Sequence, residues 1–167
     1  MTPHDMVLTP TGLRFRGRRY PCTIGRGGIS ATKREGDMAT PTGAHRIVQM
    51  FYRPDRMARP ADWATQLRPG DLWSDASEDA AYNTHVRAPY GASHEVLRRA
   101  DPLYDLILVT DWNWPNAVPG RGSCIFMHQW RRPGHPTEGC VALRRDHLLG
   151  IARHVAPGAR LIVTPSQ

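Results

Sequence analysis

Gly122-Ser-Cys-Ile-Phe-Met-His128, then a Pro/Gly-rich link, then Pro136-Thr-Glu-Gly-Cys-Val-Ala-Leu143 is the stretch on which the reading of this chain turns. Its first half is an apolar run that ends in a histidine and reads as a strand, Ser123 to His128. Its second half sets a cysteine directly after a glycine, among turn residues. A thiol becomes a good nucleophile at neutral pH when a base takes its proton, and imidazole is the usual base. His128 and Cys140 are therefore the first place to look for chemistry.

Outward from that stretch the chain is rich in short strands. Leu106-Ile-Leu-Val109, within Leu103 to Thr110, is a continuous apolar run suited to a central strand buried on both faces. Ala44 to Tyr52 alternates in the manner of a strand, and Leu161-Ile-Val163 forms the last one. Val7-Leu8 and Leu13-Arg-Phe15 flank Thr9-Pro-Thr-Gly12, the pattern of a hairpin. Tyr20 to Ile24 reads as a further strand, closed by Gly25-Arg-Gly-Gly28. That glycine cluster is a turn, because it lacks the Lys-Ser/Thr ending and the following helix of a phosphate loop.

Leu148, Ile151, Ala152 and Val155 share one helical face, with Asp146 placed to cap the start and Pro157-Gly158 to stop it. Residues 53–100 are broken up by Pro54, Pro60, Pro69-Gly70 and Pro89, with a short helix expected from Ser93 to Arg99, Ser93 being its N-cap. The 15 Gly and 15 Pro in 167 residues agree with strands joined by turns. The sequence thus predicts a single mostly β domain over residues 1–167, of β-rich α+β class with one or two short helices.

The formal charge is +7, from 22 basic and 15 acidic residues, and suits a polyanionic partner. Lys33 is the only lysine, however, and the arginines are scattered in ones and twos (Arg18-Arg19, Arg98-Arg99, Arg131-Arg132, Arg144-Arg145) with no recognition motif, so no nucleic-acid role is expected. No run of about 18 apolar residues exists, and no transmembrane segment is expected. Met1 to Pro10 lacks the apolar core of a secretory signal. Three cysteines leave at least one thiol free in a monomer, the expected state, whether or not Cys22 and Cys124 pair.

If Ser123 to His128 is extended, Cys124 and His128 share a face but lie about 13 Å apart, too far for direct activation. Cys124 is then a packing residue, and Cys22, in a strand pattern, gets the same reading. Cys140 lies 12 positions past His128 (140 − 128), and a chain reversal at Pro133-Gly134 and Pro136 can bring thiol and imidazole together. Gly139 lets a substrate carbonyl approach the backbone, and the amides around Cys140 can form an oxyanion hole. A structural cysteine and a surface histidine remain the alternative at this point. A zinc set of His128, His135, Cys140 and His147 matches no common ligand spacing.

The segments Gly122 to His128 and Thr137-Glu-Gly-Cys-Val-Ala-Leu143 resemble the signature of L,D-transpeptidase (YkuD-type, ErfK/YbiS-like) catalytic domains. In that signature a His follows an apolar strand, and Ser/Thr-His-Gly-Cys comes after it. Lys33-Arg-Glu-Gly-Asp-Met-Ala-Thr-Pro-Thr-Gly43 is similar to the family's upstream block. The resemblance marks a divergent member: Glu138 stands where His is usual, Ala142 where Arg or Asn is common, and the His-to-Cys interval is short. It implies an L,D-transpeptidase-like β-sandwich or barrel with no cofactor, acting in the periplasm or cell envelope. That localisation conflicts with the lack of a visible signal.

The resemblance implies Cys140 as nucleophile, His128 as general base and acid, and a main-chain carbonyl at Gln129 orienting the imidazole. The Gly139 backbone would serve the oxyanion hole. The partners implied are peptidoglycan stem peptides: a donor tetrapeptide, and an acceptor amine that completes a 3–3 crosslink. Arg144 and Arg145 would hold a stem carboxylate, and Trp130 would wall the cleft. Trp112 and Trp114 read as packing residues; Tyr82, Asn83, His85 and His94 lie in a middle region expected to cover the cleft, with His85 and His94 on its surface. Two further readings stand beside crosslinking. One is an L,D-carboxypeptidase or amide hydrolase using the same Cys-His pair, and the other a non-catalytic wall-binding module.

Overall fold

The computed structural model describes residue 2 and residues 4–165. From the N-terminus, β1 (Met6–Thr9), β2 (Gly12–Phe15), β3 (Arg18–Tyr20) and β4 (Cys22–Thr23) follow closely on one another. The short strands β5 (Ile29–Ser30) and β6 (Thr40–Pro41) precede the long β7 (Gly43–Tyr52), and β8 (Thr65–Gln66) lies beyond a loop. Next come β9 (Asp71–Ser74), β10 (His85–Arg87) and β11 (His94–Val96). The chain finishes with β12 (Leu106–Thr110), β13 (Phe126–Gln129), β14 (Val141–Leu143), helix α1 (Arg145–Ala152) and β15 (Arg160–Val163).

A ten-stranded sheet runs in the order β3-β2-β1-β15-β7-β12-β13-β14-β4, with β8 on β7. Its edge strands β3 and β4 are consecutive in the chain, joined through Pro21, so the sheet curls towards closure as a barrel. Among the described residues the fold is mostly β with one short helix, the β-rich α+β class that the sequence predicts.

Side-chain alternation divides the interior in two. Leu106 and Leu108 of β12, Met127 of β13, and Val141 and Leu143 of β14 point into a core closed by Leu148, Ile151 and Ala152 of α1. Ile107, Val109, Phe126 and Cys140 point to the other face, where Trp73, Leu97 and Tyr104 pack on them. β12 is thus buried on both faces, as its unbroken apolar run requires. Each such aliphatic side chain contributes about 1.5–3 kcal/mol on burial. The second face carries the site.

Four local expectations are corrected. Ser93–Arg99 is not a helix: His94–Val96 pairs with β9, and the Leu97 amide donates to the Asp71 carbonyl. So short a helix has little intrinsic stability, and the ladder to β9 overrides its propensity. Tyr20 to Ile24 is two strands, because Pro21 has no N–H for the ladder. Asp146 sits within the first turn of α1 while Arg144 takes the N-cap position without a side-chain cap bond. The carboxylate still favours the helix there through the dipole. The strand expected from Ser123 begins at Phe126, and Cys124 is left-handed with φ 55°.

Candidate active site

β13 and β14 pair in parallel, with Met127 opposite Val141 and His128 opposite Ala142. Alternation then puts Phe126 and His128 on the same face as Cys140 and Ala142, so His128 and Cys140 are diagonal neighbours across two adjacent strands. Both line a cavity of about 350 Å³, together with Tyr104, Cys124, Glu95 and Glu138.

The Cys140 thiol is 8% exposed; it donates to the Cys124 carbonyl at 3.0 Å and accepts from the Phe126 amide at 3.4 Å. Burial pushes it up to about 12. His128 is 5% exposed and its Nδ1 bonds the Gln129 carbonyl at 2.8 Å. A carbonyl only accepts, so Nδ1 carries the proton and the neutral ring presents the Nε2 lone pair. Burial lowers the His128 pKa to about 4. The resting pair at neutral pH is a thiol and an uncharged imidazole. Tyr104 holds the imidazole edge-to-face at 5.3 Å, and the Arg99 guanidinium lies over the Tyr104 ring at 5.3 Å from its centroid.

The turn that carries Cys140 is built from the upstream block. Thr40 Oγ1 donates to the Gly139 carbonyl at 2.8 Å and accepts from the Gly25 amide. Gly139 has φ 137°, and a Cβ there would stand 2.9 Å from the Ala39 carbonyl oxygen and 3.0 Å from Ile125 Cδ1. Only glycine fits. Thr137 Oγ1 donates to the Cys140 carbonyl at 2.6 Å and accepts from the Gly139 amide at 3.2 Å. The Gly139 amide, which the resemblance implies for the oxyanion hole, is engaged by Thr137 in this structure.

Tyr82 and Asn83 of the middle region, with Lys33 and Glu35 of the upstream block, hold the opposite wall. Asn83, 2% exposed, accepts from Trp73 Nε1 and from the Cys124 amide, and donates to the carbonyls of Trp112 and Asn113. Tyr82 and Ser123 both donate to Glu35, and the Gly122 amide donates to the Tyr82 hydroxyl at 3.0 Å. Buried Lys33 pairs with Asp37 and packs against Gly122. These bonds tie the Lys33–Asp37 loop to the segment that aims the Cys124 carbonyl.

Cys124 is thus part of the cavity wall and not only a packing residue; the extended geometry that set it apart does not form. Trp130 lines the cavity, as do Glu138 and Ala142. Arg144 and Arg145 do not: Arg144 is bidentate to Asp146, and Arg145 donates to the Arg56 carbonyl beside Asp105. The chain turns into α1 directly after β14 and carries both side chains away. Cys22 is half-buried in β4 against the first core, and burial raises its thiol to about 11. Trp112 packs edge-on to His45 and under Arg121, and Trp114 against the second core. The middle region contributes Asp75, Glu95 and Arg99 to the wall, from the small sheet β10-β9-β11 and its borders. His85 and His94 stay outside the cavity, and His147 packs on Tyr20.

Among solved structures the chain is similar to an L,D-transpeptidase from Mycobacterium smegmatis, at 12% identity and a TM-score of 0.46, over 96% of this chain. It spans 58% of that neighbour's length. No curated protein matches it. The sequence profile of the L,D-transpeptidase catalytic domain, YkuD, matches residues 8–163, nearly the whole chain. The chain belongs to the YkuD family of L,D-transpeptidase catalytic domains.

Proposed function

We propose that the chain is a peptidoglycan L,D-transpeptidase that forms 3–3 crosslinks through a Cys140 thioester. The observation that supports this most directly is the placement of Cys140 and His128 on one face of two adjacent strands, in one cavity, with the imidazole tautomer fixed by Gln129.

A stem tetrapeptide enters with the carbonyl before its terminal D-alanine at the thiol. The thiol leaves the Cys124 carbonyl, His128 Nε2 takes its proton, and sulfur attacks the carbonyl carbon. A neutral thiol and a poorly basic imidazole make proton transfer uphill before substrate arrives, so transfer accompanies attack. The Cys140 amide, which takes no part in the Thr137 turn, holds the oxyanion; one such donor is worth about 2.7–4 kcal/mol. The imidazolium then protonates the departing D-alanine amine. An amine of a second stem attacks the thioester carbon, and the sulfur leaves to recover its proton through His128.

Intact-mass analysis after incubation with a carbapenem tests the first half. One adduct on Cys140 is expected, absent in Cys140→Ser and formed roughly 10²–10⁴-fold more slowly in His128→Ala. A label on Cys22 or Cys124, or no label, overturns the assignment. Incubation with disaccharide-tetrapeptide should yield crosslinked dimer; release of D-alanine without dimer would make the chain a carboxypeptidase.

A further inference from the structure

We propose that Glu95, Asp75 and Glu138 form the subsite for the acceptor amine in the Cys140 cavity, binding it as an ammonium ion and taking one of its protons. This rests on Cys140 carrying the acyl group.

The three carboxylates come from separate segments: Glu95 from β11, Asp75 directly after β9, and Glu138 from the turn before Gly139. All three line the cavity that holds the thiol, in a chain whose formal charge is +7. Among the described residues Asp75 and Glu138 make no ion pair, and Glu95 has one contact, with Arg99 at 4.0 Å. Arg99 is itself bidentate to Asp101. Arg26 and Arg131 also line the cavity, so the wall is mixed in sign and the acidic side is local.

Two polar groups there lack partners. Asp75 Oδ1 is buried with no hydrogen bond among the described residues. Tyr104, only 7% exposed, lines the same cavity, and its hydroxyl makes no hydrogen bond among the described residues. An ammonium group brings three N–H donors and a positive charge, which suits the carboxylates lining the cavity and the Tyr104 phenol oxygen beside them. Burial raises the Glu95 pKa, and the neighbouring Asp75 and Glu138 add to the rise. A cation seated among the three relieves that repulsion, and a carboxylate with raised basicity is the better proton acceptor.

The step balances. The ammonium gives one proton to the Glu95 carboxylate, and the amine nitrogen forms a C–N bond to the thioester carbon. The C–S bond breaks and its electron pair stays on sulfur. The second nitrogen proton passes to sulfur through His128, leaving a neutral amide, a thiol and a protonated Glu95.

The test reads how each acyl-enzyme partitions between aminolysis and hydrolysis, a ratio independent of acylation rate. Disaccharide-tetrapeptide is the donor. The added acceptors are ethanolamine, cationic at neutral pH, and hydroxylamine, uncharged there. Glu95→Gln with Glu138→Gln should lower the ethanolamine ratio about tenfold or more, the loss of roughly one modest charge contact, while the hydroxylamine ratio stays level. A parallel fall with both acceptors, or with neither, overturns the subsite. Should the double variant not fold, added salt applied to the wild-type protein should suppress ethanolamine transfer alone; an equal response to salt overturns the proposal. Absence of any acyl-enzyme in the wild-type protein removes the Cys140 reading first, and the subsite with it.

Discussion

The Cys140 thiol donates to the main-chain carbonyl of Cys124 at 3.0 Å, and Asn83 holds that carbonyl in place through the Cys124 amide. Cys124 keeps a left-handed backbone, φ 55°, that a residue with a side chain seldom adopts. Thiol, carbonyl and amide clamp link the Cys140 sulfur to the packed wall behind it. The proton on sulfur points at the backbone rather than at the imidazole.

Cys140 should therefore alkylate slowly near neutral pH. Burial holds the folded thiol at about 12, against 9.0 for an unperturbed one. Peptide mapping after brief iodoacetamide treatment should show labelling of Cys140 that climbs with pH and reaches no plateau by about pH 9. The same thiol should react at an ordinary rate in urea. A plateau below pH 8 would mean a thiolate at rest.

His128 gives a stability signature of the opposite kind. Its folded pKa is lowered to about 4 from 6.5, so the unfolded chain binds the proton more readily. The contribution is complete above the unfolded value and is lost as pH falls from 6.5 towards 4. Urea unfolding should show about 2 kcal/mol less stability at pH 5 from this group. His128→Gln should lack that increment of acid sensitivity.

Asn83→Ala removes a side chain that makes four hydrogen bonds at 2% exposure. Trp73 Nε1 and two main-chain carbonyls lose a partner, at about 1–3 kcal/mol for each group left buried and unsatisfied. A loss of about 3 kcal/mol or more in urea unfolding is expected, with slower carbapenem acylation in the protein that remains folded. Unchanged stability would refute the clamp.

Gly139→Ala should destabilise by about 2 kcal/mol or more, through the positive φ and the collision with Ala39 and Ile125. Thermal unfolding measures it. Acylation should fall as well, because relief of that collision moves the turn bearing Cys140.

What could be read from the sequence was periodic or local. Leu106-Ile-Leu-Val109 reads as a buried strand because burial on both faces needs an unbroken apolar run. His128 and Cys140 stand out because imidazole is the usual base for a thiol and because the segments around them, Gly122 to His128 and Thr137 to Leu143, resemble a family signature. The Ser93–Arg99 segment misleads because its local propensity is weaker than the ladder to β9, a contact its own residues do not encode. Cys124 misleads because one left-handed residue cancels an argument built on extended geometry. Tyr82 and Asn83 read only as part of a covering region and Glu35 as part of the upstream block; their joint wall is not legible because its bonds span 10 to 88 positions of the chain. The charges of Arg144 and Arg145 suggested an anion site, yet the turn into α1 decides where they point.

The parallel register of β13 on β14 makes the alignment of His128 with Cys140 a digital property. Side chains alternate along a strand, so a slip of one residue would swing His128 into the first core and offer Met127 to the cavity.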